Sequence, residues 1–242
     1  MRYELNYNNV PFSDFNTFYD GSQLFDTPSK DVSFFSVAGR NGDLTISNDR
    51  YNNIDISVKC FIRENFIENY SNLINFLSSQ EGYCRFETTE EPDIFRMAEF
   101  VNAIKPETGA FLKYGNFELV FNCKPQKYLL TGEIGESISG STTIENPTLM
   151  DSKPLLEVTG TGTITINDSV LELANNTSKT YIDCDIQDAY EGTINRNSDL
   201  TVTNGFPTLT SGTNSVSVSG CSVVLYPRWW KIWLRFLMKV KF

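Results

Sequence analysis

The chain has 242 residues, with 20 basic against 30 acidic side chains, no histidine and a formal net charge of −10. An acidic surface repels phosphate backbones, which argues against a nucleic-acid partner, and without histidine the Ser-His-Asp and Cys-His nucleophile systems and most zinc sites are excluded. Apolar residues make up 40% and aromatic residues 13%, which suits two β-rich domains of roughly 100–130 residues each.

In chain order, the first 30 residues alternate Asn, Asp and aromatics around Pro11 and Pro28 and read as short strands and loops. Residues 31–37 read as a strand. The run Ala38-Gly39-Arg40-Asn41-Gly42-Asp43 follows, an expected type I′ turn around Asn-Gly, and Leu44 and Ile46 resume the strand. Ile54, Ile56, Val58, Cys60 and Ile62 share one face of a half-buried strand. Over 65–79 the period changes: Phe66, Tyr70, Leu73, Ile74 and Leu77 recur at helical steps, with Gly82 as a stop. Strands are expected at 83–86, 95–104 and 116–123, with an acidic loop over 87–93.

Composition changes near Tyr128. From there Thr, Ser, Asn and Gly dominate, and short strands are expected at 155–158, 163–166, 170–173, 181–186, 200–202, 215–218 and 222–226. Evenly spaced short strands without helices indicate a β-sandwich. Gly160-Thr161-Gly162 reads as a hairpin turn. The fold class is therefore mainly β with one helix: an N-terminal sheet or barrel-like domain packed by one α-helix, then an antiparallel β-sandwich. The last segment carries Lys231, Arg235 and Lys239 at four-residue steps among Trp, Leu, Phe, Ile, Met and Val; it is a basic amphipathic extension whose cations would form one stripe on a helix, and it reads as a docking segment, a disordered extension or a membrane-surface element.

Five cysteines, at 60, 84, 123, 184 and 221, form no Cys-x-x-Cys pair. Cys60, Cys123 and Cys184 alternate with polar residues and read as buried free thiols of a protein folded in a reducing cytoplasm. No secretion signal and no run of about 20 apolar residues is expected, so membrane association is not. Carboxylates cluster at Glu87, Glu90, Glu91 and Asp93, and at Asp183, Asp185 and Asp188. The first cluster reads as a solvated loop. The second places Asp183 and Asp185 on one strand face, a weak calcium pattern lacking the Gly turn and closing Glu of a loop site. No cofactor, metal or catalytic residue is expected.

Several stretches carry a resemblance. They are Val37-Ala38-Gly39-Arg40-Asn41-Gly42-Asp43-Leu44 with the strand after it, the helix over 65–79, Pro92-Asp93-Ile94-Phe95, and Lys113-Tyr114-Gly115-Asn116-Phe117 leading into Phe121-Asn122-Cys123-Lys124-Pro125. In the second half they are Asn146-Pro147-Thr148, Pro154-Leu155-Leu156-Glu157-Val158-Thr159-Gly160, Phe206-Pro207-Thr208-Leu209, Gly212-Thr213-Asn214-Ser215-Val216 and Tyr226-Pro227-Arg228-Trp229-Trp230. In this order, over about residues 1–230, they resemble the distal tail protein family of tailed phages.

The resemblance implies that residues 1–128 form a hexameric ring docked on the tail tube, and that 129–228 form a galectin-like sandwich. It implies a non-enzymatic baseplate hub in the virion, made in the host cytoplasm. Its expected partners are other copies of itself, the tail tube protein and the tail-tip or tail-associated lysin protein. Residues 231–242 extend beyond the family pattern, within a basic amphipathic C-terminal extension over 229–242. Candidate assembly contacts are Gly39, Arg40, Asn41, Gly42, Asp43, Trp229, Trp230, Trp233 and Arg235. The alternative is a carbohydrate-binding sandwich in host-surface adhesion, resting on Trp229, Trp230 and Tyr190.

Overall fold

The computed structural model describes residues 4–20, 26–109, 112–174 and 178–232. The described residues up to Lys127 form one compact unit, and Tyr128–Lys231 form a second. Trp233, Arg235 and the rest of the C-terminal extension from 233 onward lie outside the described residues.

The first unit contains strands β1 (Leu5–Tyr7), β2 (Val10–Pro11), β3 (Thr17–Tyr19), β4 (Lys30–Phe35), β5 (Leu44–Tyr51) and β6 (Ile54–Ile62), helix α1 (Phe66–Ser78), then β7 (Cys84–Thr88), β8 (Ile94–Gly109) and β9 (Tyr114–Cys123). Seven strands form one antiparallel sheet in the order β2-β1-β7-β8-β9-β6-β3. Its two edge strands, β2 and β3, are neighbours in sequence, joined only by the 3-10 turn Phe12–Phe15 and Asn16. So short a link reaches roughly 20 Å, whereas a flat seven-stranded sheet would hold its edges about 29 Å apart. The sheet therefore curls toward closure, giving the barrel-like form expected.

Inside it, the alternating face of β6 (Ile54, Ile56, Val58, Cys60 and Ile62) packs with Phe117, Leu119, Phe121 and Cys123 of β9. Phe66, Leu73 and Leu77 of α1 complete the core. The Tyr7 hydroxyl, fully buried, donates to the Ala98 carbonyl at 3.2 Å and accepts from the Phe100 amide at 3.3 Å, so its polar end is satisfied among aromatic neighbours.

The chain leaves this unit along β10 (Lys127–Leu129). The second unit contains β11 (Glu136–Asn146), β12 (Leu155–Thr159), β13 (Gly162–Ile166), β14 (Ser169–Leu173), β15 (Lys179–Asp183), β16 (Asp188–Glu191), β17 (Ile194–Asn195), β18 (Leu200–Thr203), β19 (Gly212–Tyr226) and β20 (Trp230–Lys231). The strand order is β17-β16-β15-β12-β19-β13-β14-β18, with β11 on the other side of β19. Inward residues of both ends, among them Leu156, Val158, Ile164, Leu171, Ile182, Val218 and Leu225, converge on one core.

Strand β19 is the axis of this sandwich. Its first part, 216–219, pairs with β13 and its second, 222–226, with β12, while Gly220 at φ +83° breaks the register between them. The expectation for 160–162 is corrected here: β12 and β13 do not pair with each other but succeed one another along β19, so Gly160-Thr161-Gly162 is a crossing over the Gly220 kink, not a hairpin turn. A Cβ on Gly162 would stand 2.2 Å from the Ser219 carbonyl oxygen, so only glycine permits the crossing. The motifs at Asn146-Pro147-Thr148 and Phe206-Pro207-Thr208-Leu209 also meet: the Asn146 amide donates to the carbonyls of Met150 and Leu209, both at 3.0 Å.

Candidate assembly surface

Strands β4 and β5 form a two-stranded sheet of their own, pairing Ser33 with Ile46, Phe34 with Thr45 and Phe35 with Leu44. Successive residues of a strand point to opposite faces, so the consecutive Phe34 and Phe35 put one ring on each face. Phe34 is 67% and Phe35 50% exposed, and Val37, Leu44 and Ile46 are exposed beside them. An isolated hairpin is marginally stable at best in water. This one is held at its base by a 2.6 Å ion pair from Arg50 to Asp31 and by the Asn52 amide, which donates to the Ser29 carbonyl. The Arg50 hydrogen bond, helped by one from Asn48, holds the Asp31 carboxyl below the usual carboxylate range.

The hairpin tip carries the predicted contact residues Gly39, Arg40, Asn41, Gly42 and Asp43, all exposed. A type I′ turn would need positive φ at both Asn41 and Gly42, and of the two only Gly42 has it, at +83°. The reversal is an eight-residue loop, 36–43, in which the Arg40 amide donates to the Val37 carbonyl with Gly39 at φ +78°. That conformation is glycine's, and nothing lies within 4 Å of either Cβ position.

The tryptophans stand elsewhere. Trp229 is 4% exposed in the second core, and its carbonyl accepts the Leu129 amide. Trp230 is half-buried, its indole N–H donating to the Asp151 carbonyl at 2.8 Å. Tyr190 stacks on Tyr181, centroids 5.7 Å apart. These side chains serve packing inside the second unit.

Two ionic sites built on buried carboxylates were hidden in sequence. The loop over 87–93 is not wholly solvated. Glu91 is buried, with Lys127 Nζ 2.5 Å from Oε1 and Arg96 Nη2 3.5 Å from Oε2, both cations almost fully buried. Beside it the Glu90 carboxylate accepts the Tyr19 hydroxyl, and burial pushes the Glu90 carboxyl up.

In the second unit Asp183 and Asp185 do not share a strand face. Strand β15 ends at Asp183, whose Oδ1 accepts the amides of Asp185 and Ile186 in a turn, while the Arg228 guanidinium binds both its oxygens at 2.8 and 2.9 Å. Desolvation raises the Asp183 carboxyl, but the Arg228 hydrogen bonds and charge outweigh it and hold the group below the usual range. Asp185 is exposed and pairs with Lys153. Among the described residues no three His, Cys, Asp or Glu side chains cluster as metal ligands, and no helix is long and apolar enough to cross a membrane. Cys60, Cys123 and Cys184 are buried free thiols as expected, and burial pushes Cys123 and Cys184 up to about 12.

Residues 9–123 match the model of the phage tail protein RIFT-related domain family. No curated protein matches the chain. Among solved structures, the crystal structure of SPP1 Dit (gp 19.1), described as a paradigm of the hub adsorption apparatus in phages infecting Gram-positive hosts, is 13% identical, with a TM-score of 0.70 over 93% of this chain and 98% of its own. Chains of the phage p2 baseplate in its activated conformation with Ca, and with Sr, are each 10% identical, with a TM-score of 0.54 over 93% of this chain and 97% of theirs. The resemblance read from the sequence agrees with both comparisons: a phage tail domain model matches within the first unit, and the fold across both units is shared with SPP1 Dit.

Proposed function

We propose that this chain is a structural subunit of a phage tail, assembled as a hexameric ring that joins the tail tube to the baseplate or tail tip. The ring would bring it against other copies of itself, the tail tube protein and the tail-tip or tail-associated lysin protein within the virion. Its role is mechanical, with no catalytic step.

The carrying observation is the β4–β5 hairpin, which leaves five large apolar side chains in water on both its faces. Fully burying such a side chain is worth about 1.5–3 kcal/mol, so a hairpin of this kind is built to be covered. A neighbouring copy in a closed ring is a cover that recurs at every subunit. No comparable observation favours sugar binding: Trp229 is buried, the indole N–H of Trp230 is taken up by Asp151, and Tyr190 lies against Tyr181.

The double substitution Phe34→Ser/Phe35→Ser is expected to lower the mass measured by light scattering to that of single chains, with far-UV circular dichroism unchanged. Retention of the parental mass by this variant would remove the hairpin from the interface.

A further inference from the structure

The second unit ends on one side in β11, and among the described residues no strand pairs with its outer edge. A register shift separates Ile138 from Gly140, and from there Gly140–Asn146 pairs with β19 without interruption for seven residues. The outward-directed amides and carbonyls of such an edge are a template for another strand. Natural edges are blunted with Lys, Pro or inward-pointing charges, and the run Gly140-Ser141-Thr142-Thr143-Ile144 has none of these.

Two further observations describe what would fit. A shallow groove of about 500 Å³ lies across the sheet face next to this edge, lined by Ser141, Thr142 and Thr143 of β11, Ser215, Val216 and Ser217 of β19 and Thr165 of β13. Thr142 sits opposite Val216, which is buried, yet Thr142 is itself exposed. The core layer therefore ends at Thr142, beside which an added strand would place its own inward-facing residue.

The second observation is charge. Between Lys127 and Lys153 every ionisable side chain with a formal charge is acidic (Glu133, Glu136, Glu145 and Asp151), and β19 carries no charge at all. Glu136 and Glu145 flank the open run and are exposed. Two copies of this acidic chain set edge to edge would bring only carboxylates together there, so the edge selects against itself.

We propose that β11 is a strand-addition site: an extended segment of a partner polypeptide, with alternating apolar residues and basic flanks, adds to the sheet beside Gly140–Asn146. The partner's main chain supplies the ladder hydrogen bonds, its inward apolar side chains seat beside Thr142, and its basic ends face Glu136 and Glu145. The site lies wholly in the second unit and stands independently of the ring interface on β4–β5.

The test uses the full chain with two fluorescent decapeptides, one Lys-Lys-Thr-Val-Thr-Val-Thr-Val-Lys-Lys and one with all four lysines replaced by glutamate. The lysine-ended peptide is expected to slow amide hydrogen exchange across 140–146, and to bind at least about fivefold more tightly by fluorescence anisotropy than the glutamate-ended one. In the exposed double variant Glu136→Lys/Glu145→Lys the preference inverts, a result that a folding defect would not produce. The proposal is overturned if neither peptide changes exchange at 140–146, or if both bind equally. It is equally overturned if those amides are already protected in the free chain in a concentration-dependent way, since a second copy would then be the occupant.

Discussion

Replacing Glu91 by alanine is expected to cost the first unit about 3–5 kcal/mol, the penalty for removing one partner of a buried ion pair. Lys127 and Arg96 reach Glu91 with side chains 1% and 3% exposed. Without the carboxylate, two cations remain in a site that water barely reaches. The neighbouring Arg85–Glu87 pair supplies the contrast, because both side chains are 25% exposed. Glu87→Ala is expected to cost less than about 1 kcal/mol. Hydrogen exchange of the core amides of β6 and β9 measures both, and equal protection in the two variants would show that the Glu91 site contributes nothing special.

Asp183→Asn is expected to destabilise the second unit by about 2–4 kcal/mol near neutral pH, since it removes the charge that Arg228 binds with two hydrogen bonds. The pH dependence follows from the direction of the shift. The folded carboxyl titrates below its unfolded value, so its contribution is present above the unfolded pKa of about 3.9 and is lost as pH falls through the lower folded pKa. The stability difference between parent and variant, followed by the tryptophan fluorescence of Trp229 and Trp230, is therefore expected to be constant from pH 7 to about 5 and to shrink in stronger acid. A difference that grows on acidification would contradict the sign of the shift.

What could be read from the residues was what local periodicity records. Strand β6 keeps its expected bounds because five inward residues alternate without interruption, and α1 differs by one residue at each end because its apolar stripe is unbroken. Strand β11 escaped notice. Its run Ser137-Ile138-Ser139-Gly140-Ser141-Thr142-Thr143-Ile144 has few large apolar residues, because an edge strand beside an open groove has little to bury. The crossing at Gly160–Gly162 looked like a hairpin because turn chemistry reports that the chain reverses, not which strand it pairs with next.

The candidate surface divided in the same way. The tip residues 39–43 are conspicuous in sequence because the loop needs positive φ at Gly39 and Gly42. The exposure of Phe34 and Phe35 was not legible, because burial is decided by what other elements leave uncovered. Glu91 looks like part of a solvated run in sequence because its partner Lys127 lies 36 residues away. Trp229, a candidate contact by sequence, closes the second core instead.

The most direct measurement of the central claim is the solution mass of the purified chain, joined to negative-stain class averages. A closed ring of six chains of 27.4 kDa each predicts a mass of about 164 kDa and six-fold averages with a central opening. A stable monomer of 27.4 kDa at high protein concentration, with no ring in the images, would contradict it.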